Sequence, residues 1–171
     1  AYKGDTIEEF LNYTNGSYNT ITAFEPDKKN FAKLKSKLEQ LNLQNSACYN
    51  FAAHSSKETL YFANRGGRHS SLSNQNGKPV EANSLDNVLQ GKPITFINMD
   101  IEGAEKEAII GCSQIIHKYR PKMLIAAYHR TEDIFELPLQ ISEIAGEYSF
   151  YFRHYQYIPA WDVNLYCIPK K

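Results

Sequence analysis

The feature that most constrains the fold is an alternation of short apolar segments with helical segments along the chain. Short apolar runs bounded by polar residues or proline predict buried strands. Such runs occur at 19–24, 46–51, 94–100 and 122–128. Because they are apolar at successive positions, we expect both faces of each strand to be covered, as in a parallel sheet between helices.

Helical periodicity marks the segments that connect these runs. Between the first two predicted strands, apolar residues recur at steps of three and four with lysines between them, namely Phe31, Leu34, Leu38 and Leu41. This pattern predicts an amphipathic helix that joins parallel strands. Further helices are predicted at 6–13, 102–119 and 137–148.

The last stretch, 148–171, changes to aromatic, strand-like runs with no helical pattern between them, which predicts a closing β-hairpin. The order of elements therefore predicts an α/β fold: a Rossmann-like, doubly wound and mostly parallel sheet with an antiparallel hairpin at its end. Residues 64–80 are rich in Gly, Ser and Asn and are predicted to form a long loop. Loops of that length are usually functional or disordered, and we expect the part from His69 to Ser73 to fold over a substrate.

Composition limits the classes of function. The 171 residues, 42% apolar and 22% charged, suit one globular domain spanning 1–171. Equal numbers of basic and acidic residues, 19 each, give no field that would attract a phosphate backbone, so no nucleic-acid partner is expected. No run of 18 apolar residues and no signal peptide are seen, which predicts no membrane association and a cytoplasmic location.

The cysteines are far apart in the sequence, at Cys48, Cys112 and Cys167. Their odd number and the absence of a CxxC pattern argue against a zinc site and against a disulfide framework. We expect buried thiols in a reducing compartment.

A glycine and an acid in the first part of the chain are spaced as in nucleoside-binding domains. Gly4 precedes a helical pattern, where a glycine lets the backbone approach a ligand closely, although it can also be an ordinary turn glycine. Glu25 follows the first predicted strand, where a carboxylate can accept hydrogen bonds from both hydroxyls of a ribose. The alternative role, a helix cap, can be filled by Asp27. The pair predicts a nucleoside-containing cofactor.

A second group of polar residues follows the later strands. Asp100 closes the predicted strand 94–100, and an acid that ends a buried strand is costly unless it has a task. His129 follows the next strand, and a histidine there could take a proton from a substrate hydroxyl or could simply be hydrogen-bonded at the rim. Because ligands of open α/β sheets bind at the carboxyl ends of strands, these residues are candidates for catalysis. Glu105 is interpreted as a carboxylate that favours the positive end of a helix dipole.

These motifs, in this order, resemble the FkbM-type family of class I S-adenosylmethionine-dependent methyltransferases. The most specific match is SLDNVLQGKPITFINMDIEGAEKEAIIG at 84–111, similar to the family's Leu-Asp, short helix, strand and Asp-x-Glu-Gly-Ala-Glu stretch. The segments AYKGDT, FEPDKKNFAKL, YNFAA, HSSL and AAYHRTEDIFELP extend the resemblance over residues 1–155. The resemblance implies an O-methyltransferase that acts on a hydroxyl of a small molecule or glycan.

The resemblance also implies roles for particular residues. Cofactor contacts fall on the first half of the chain: Gly4 and Asp5 for the methionine moiety, Glu25 with Pro26 for the ribose, and Asn50, Phe51 and Ala52 for the adenine. The methyl group and the acceptor would face Asp100, Glu102 and His129, and Asp100 also counts among the cofactor contacts.

The sequence departs from the family pattern at two places. The family has an apolar strand ending in Asp-x-Gly directly before AYKGDT, whereas this chain begins at Ala1, so we expect an N-terminally incomplete domain that lacks its first strand. Ser55 stands where an acidic residue is common, which affects the contacts expected around adenine.

Two other functions fit part of the pattern. A nicotinamide-dependent oxidoreductase shares the glycine turn and the ribose acid, but it would normally show G-x-G-x-x-G/A, and only Gly4 is visible. A non-catalytic nucleoside-binding module is the second alternative. Asp100, Glu102 and His129 are hard ligands suited to Mg²⁺, but their spacing is not diagnostic, so no metal ligand is predicted.

Overall fold

A computed structural model of the protein describes residues 1–63, 71–73, 78–154 and 162–170. The helices in these ranges are α1 (Asp5–Tyr13), α2 (Lys28–Gln40), α3 (Leu85–Leu89), α4 (Glu105–Ile110), α5 (Ser113–Tyr119) and α6 (Asp133–Ile144). The strands are β1 (Ile21–Phe24), β2 (Ser46–Tyr49), β3 (Ala52–Ala53), β4 (Glu58–Ala63), β5 (Ser71–Ser73), β6 (Lys78–Asn83), β7 (Phe96–Met99), β8 (Lys122–Ala126), β9 (Tyr148–His154) and β10 (Val163–Pro169). None of these helices is both long and apolar enough to cross a membrane.

The first half of the fold is built on a βαβ unit. Strands β1 and β2 pair in parallel, and α2 joins them. The helix begins where the side chain of Asp27 accepts the backbone N–H groups of Lys29 and Asn30, both at 2.9 Å. It buries Leu34 and Leu38 beneath the strands. The amphipathic helix and the two strands predicted here are confirmed.

The second half is a four-stranded sheet in the order β7-β8-β10-β9. Strands β7 and β8 are parallel, and β10 pairs antiparallel with β8 and with β9. The predicted closing hairpin is therefore confirmed. The fold is a Rossmann-like α/β arrangement in which, within the described ranges, the β1–β2 pair and this sheet are separate hydrogen-bonded units.

The helix predicted over 102–119 is wrong in one respect, because the structure divides it into α4 and α5. The division falls at Gly111 and Cys112. After it, α5 begins where both carboxylate oxygens of Asp86 accept backbone N–H groups, from Ile115 at 3.0 Å and Gln114 at 2.9 Å. A capping carboxylate from another segment thus fixes a new helix start.

A third sheet, in the order β3-β6-β4-β5, lies in the region read from sequence as mostly loop. The predicted loop at 64–80 is wrong for 71–73, which form β5, and for 78–80, which belong to β6. The rest of that segment, including His69, lies outside the described residues. Cross-strand pairing with β4 accounts for the difference, since short polar strands are stabilised by their partners rather than by their own propensity.

In the part of the chain that the structure describes, buried apolar side chains form three clusters, one associated with each of the three sheets. The largest cluster of buried apolar side chains lies around β7, β8, β10 and α4–α6, and smaller clusters lie under β1–α2 and between β3 and β6. Strand β7 buries Ile97 and Met99 but leaves Phe96 and Asn98 exposed. The expectation that both faces of every strand are covered is therefore wrong for β7.

Candidate active site

Glu25 stands directly after β1 and is 7% exposed. Its Oε2 accepts the backbone N–H of Tyr2 at 2.7 Å, and its Oε1 accepts that of Asp27 at 3.1 Å. Because the side chain of Asp27 itself caps α2, Glu25 is not needed as the helix cap.

The chemistry of Glu25 fits a ribose. A carboxylate has about four acceptor positions, and the two backbone N–H groups point at different oxygens. Oε2 also lies 3.5 Å from the N-terminal amino group of Ala1, so the remaining acceptor capacity for ribose hydroxyls lies mainly on Oε1. The backbone donors also hold the carboxylate in one orientation, so little side-chain freedom is lost when a ligand binds.

Gly4 is the N-cap of α1 and has a φ of +92°, a conformation that favours glycine. A Cβ at this position would lie 3.0 Å from Cγ of Lys37 and 3.5 Å from Cδ1 of Leu34. The left-handed backbone together with this close packing against α2 therefore explains the glycine without a ligand. Asp5 is exposed in the first turn of α1.

The residues predicted to border adenine lie beside Glu25. The side-chain amide of Asn50 donates to the carbonyl oxygens of Glu25 and Pro26 at 2.9 and 3.0 Å. The ring of Phe51 lies 5.2 Å from that of Phe24, measured between centroids. Ala52 is buried, pairing with Ala82 in the neighbouring strand. The hydrogen bonds of Asn50 thus hold the segment after β2 against the segment after β1.

The three residues predicted for the acceptor end lie together after β7 and β8. Nε2 of His129 is 3.4 Å from Oδ1 of Asp100 and 3.7 Å from Oε2 of Glu102. The side chain of Asp100 is 61% exposed and that of Glu102 is 46% exposed, whereas that of His129 is 10% exposed. The argument that Asp100 is costly because it is buried is therefore wrong, although its place beside His129 is as predicted.

Glu105 was the residue that sequence reasoning missed. It is 1% exposed, and its Oε1 accepts the N–H of Ile101 at 2.9 Å and lies 3.0 Å from Nδ1 of His129. Its place in the first turn of α4 agrees with the helix-dipole interpretation, but that interpretation does not account for its burial or its contact with His129. The missed signal was periodicity, because Ala108 and Ile109, three and four residues later, are core residues on the same helix face.

The turn between β7 and α4 brings His129 close to these carboxylates. Glu102 has a φ of +59° and Gly103 a φ of +92°, so the backbone is left-handed at both positions. A Cβ on Gly103 would lie 3.7 Å from Cβ of His129 and 3.4 Å from Nε of Arg130. Gly103 therefore leaves room for the segment after β8 to approach the turn.

The electrostatics of the cluster favour a positive charge on the ring. Partial burial lowers the pKa of His129, but Glu105, through its hydrogen bond and charge, and then Asp100 and Glu102 raise it, and the net direction is upward. The hydroxyl of Tyr128 donates to Oδ1 of Asp100 at 3.2 Å. Asp100, Glu105 and His129 each place one potential metal-ligand atom within 4.8 Å of the others. The cluster can accept a proton or hold a cation.

The two groups of candidate residues are anchored on a common core. Phe24, which precedes Glu25, packs against the largest apolar cluster, and Met99, which precedes Asp100, is a buried member of that cluster. Movement at either strand end is therefore restrained by the same packed side chains.

The family comparison matches nearly the whole chain. A family model described as the methyltransferase FkbM domain matches residues 1–159. No curated protein matches the chain significantly.

Similar solved structures are also methyltransferase folds. The structure of methyltransferase FkbM from Methylobacillus flagellatus KT has a TM-score of 0.82 and 24% identity, covering 98% of this chain and 41% of that one. An rRNA methylase from Streptococcus thermophilus has a TM-score of 0.60 and 14% identity, with 100% and 84% covered. A Streptococcus mutans protein assigned as a methyltransferase and solved in complex with SAH has a TM-score of 0.59 and 11% identity, with 99% and 85% covered. The chain thus spans less than half the length of the first of these structures.

Proposed function

Because the chain belongs to the FkbM methyltransferase family, we propose that it is an S-adenosylmethionine-dependent O-methyltransferase for a hydroxyl on a small molecule or a glycan. The observation that carries the proposal is the position of His129, whose ring is held by buried Glu105 on one side and faces Asp100 and Glu102 on the other. This arrangement presents a proton acceptor at the carboxyl edge of the sheet, where α/β enzymes bind ligands.

The residues after β1 and β2 are proposed to hold the cofactor. Glu25 accepts the ribose hydroxyls, and Asn50 keeps the two strand ends together by donating to the carbonyls of Glu25 and Pro26. Gly4 and Asp5 lie at the start of α1, on the side proposed for the methionine moiety. The S. mutans protein solved with SAH has a similar fold, which supports a nucleoside site of this kind.

When bound, S-adenosylmethionine supplies a methyl group on a positively charged sulfur. The acceptor oxygen forms the new C–O bond as the C–S bond breaks, so the products are the methyl ether and S-adenosylhomocysteine. Because a neutral hydroxyl is a poor nucleophile, its proton passes to a base, for which His129 and Asp100 are the candidates. Correct placement of the hydroxyl in line with the methyl group supplies the rest of the acceleration.

The acceptor is proposed to be a small molecule or a glycan rather than RNA. The formal net charge of the chain is zero, which gives no general attraction for phosphates. The likeness to an rRNA methylase is a likeness of fold at 14% identity, and fold does not fix the substrate.

A transfer assay tests the proposal. Methyl-labelled S-adenosylmethionine is incubated with the chain and a panel of hydroxylated small molecules and sugars, and label in the acceptor is counted. The double variant Asp100→Leu with His129→Leu should lose on the order of 100-fold or more in turnover, because both candidate bases are gone. Glu136→Gln, which changes an acid paired with Lys106 on the surface, is the matched control. Unchanged turnover in the double variant would overturn the assignment, and cofactor binding without transfer to any acceptor would favour a non-catalytic module.

A further inference from the structure

We propose that Asp100, Glu102 and His129 bind a divalent cation, with Glu105 as the buried carboxylate that fixes the histidine. Cation binding is inferred from the side-chain geometry and does not depend on the proposed function. Its role, to hold the acceptor oxygen during methyl transfer, rests on the proposed function.

The spacing of the three side chains suits ligands around one ion. Nε2 of His129 lies 3.4 Å from Asp100 and 3.7 Å from Glu102, which is long for a charge-assisted hydrogen bond. Ligand bonds of about 2.1 Å place neighbouring ligands of a tetrahedral or octahedral ion roughly 3.0–3.4 Å apart. Small rotations of the exposed carboxylates of Asp100 and Glu102 would bring their oxygens to this separation from Nε2 of His129.

Glu105 sets the ring so that the correct nitrogen faces the carboxylates. Its Oε1 lies 3.0 Å from Nδ1 of His129, and a proton on Nδ1 leaves the lone pair of Nε2 directed toward Asp100 and Glu102. A metal-binding histidine almost always donates its other ring N–H to a carboxylate, carbonyl or water in this way. The contact therefore matches the outer shell of a metal site.

A second observation at Glu105 shows that the cluster needs positive charge. Its carboxylate is 1% exposed, and Oε2 has no hydrogen-bond partner among the described residues. A buried carboxylate oxygen without a partner is costly unless a positive charge lies nearby. Since Glu105 belongs to the same group of potential ligands as Asp100 and His129, either a proton on the ring of His129 or a bound cation can supply that charge, and a metal titration distinguishes the two.

The types of ligand atom indicate which metal ions the site would prefer. An imidazole nitrogen with carboxylate oxygens suits Mn²⁺, Fe²⁺ or Zn²⁺ better than Mg²⁺, which prefers oxygen ligands and keeps its waters. A cation at this rim would bind the acceptor hydroxyl and lower its pKa, so that no free side chain need act as the base. The three residues would then act on the acceptor as ligands of the cation, in place of the free-base role given to His129 or Asp100 in the proposed function, and the proton of the hydroxyl would pass to water.

The test uses Mn²⁺ as a paramagnetic probe of the whole chain after dialysis against EDTA. Free Mn²⁺ is followed by electron paramagnetic resonance during titration, and the melting temperature is recorded with and without the metal. We expect saturable binding, a rise in melting temperature, and displacement of Mn²⁺ by Zn²⁺ in accordance with the usual order of affinities.

Variants locate the bound ion. Asp100→Asn and Glu102→Gln change exposed side chains and should each weaken Mn²⁺ binding by roughly tenfold or more, and Glu105→Gln should weaken it by about 10- to 100-fold through the histidine. Glu107→Gln, an acid in the same first turn of α4 that is not a proposed ligand, is the matched control. Absence of Mn²⁺ binding, or binding that Asp100→Asn and Glu102→Gln leave unchanged, would overturn the cation site.

A parallel titration of S-adenosylhomocysteine in EDTA separates the two proposals. Retained S-adenosylhomocysteine binding without a Mn²⁺ site would overturn the cation inference and leave the proposed methyltransferase standing. A Mn²⁺ site sensitive to Asp100→Asn in a chain that binds no S-adenosylhomocysteine would support the cation site and count against the proposed function.

Discussion

Nδ1 of His129 lies 3.0 Å from Oε1 of Glu105, an acid that is 1% exposed at the start of α4. The same oxygen accepts the N–H of Ile101, so one carboxylate joins the end of β7, the first turn of α4 and the segment after β8. The position of the ring of His129 is therefore set by the core rather than by the solvent-facing carboxylates around it.

Removal of this carboxylate is expected to destabilise the fold. Glu105→Ala leaves the N–H of Ile101 and the ring of His129 without their acceptor, at a cost of about 1–3 kcal/mol in the free energy of unfolding. Glu105→Gln keeps a carbonyl oxygen for one of them and should cost less. Urea denaturation in EDTA measures both variants. An alanine variant as stable as the wild type would show that the hydrogen bonds of Glu105 do not stabilise the fold.

Gly111 is expected to tolerate no side chain. A Cβ there would overlap the carbonyl oxygen of His54 and lie 2.9 Å from its carbonyl carbon. Because the obstacle is backbone, Gly111→Ala should cost about 1–3 kcal/mol or more through displacement of the segment after β3. Gly146→Ala is the control, since its nearest contact would be Ser142 O at 3.8 Å. Thermal unfolding of the two variants is compared with that of the wild type. Equal melting temperatures for Gly111→Ala and Gly146→Ala would contradict the predicted overlap at Gly111.

Asp86 is expected to stabilise the start of α5. Both of its oxygens accept backbone N–H groups there, so Asp86→Ala should lose about 1–2 kcal/mol of stability. Asp86→Asn keeps one acceptor oxygen and should lose less. Chemical denaturation checks the ranking, and an asparagine variant less stable than the alanine variant would contradict the capping role.

The cysteines are expected to differ in reactivity. Burial raises the pKa of Cys167 to about 12 and holds that of Cys112 far above its usual range, whereas Cys48 is only half-buried. Since the thiolate is the reactive form, Ellman's reagent should modify Cys48 first in the native chain and the others only on unfolding. The fast phase should vanish in Cys48→Ser, and its persistence would show that a buried thiol is accessible. The expectation of free thiols is confirmed, but full burial holds only for Cys112 and Cys167.

Elements with a clear apolar pattern, either a periodic helix or a short apolar strand, were predictable from the sequence. The helix at 28–40 and the strands β1, β2, β7 and β8 fall inside the predicted ranges. The sheet of β3 to β6 was not predicted, because β3 and β5 are only two and three residues long and all four strands depend on cross-strand partners that no local window contains.

The candidate site was predicted in part for a similar reason. Asp100 and His129 follow strands, so topology alone brings them to one edge. The burial of Glu105 depends on which face of α4 turns inward, and its contact with His129 depends on a left-handed turn at Glu102 and Gly103. The periodicity of the helix indicates the first, but the contact with His129 cannot be read from the residue types without the packing.

The most direct test of the central claim is a calorimetric titration of S-adenosylhomocysteine into the chain, with Glu25→Ala as the site variant and Glu39→Ala as an exposed acidic control. We expect the wild type and Glu39→Ala to bind alike and Glu25→Ala to bind about tenfold more weakly or worse, because hydrogen bonds from the ribose to a charged acceptor are lost. No binding by the wild type, or equal binding by Glu25→Ala, would contradict the assignment of the nucleoside site.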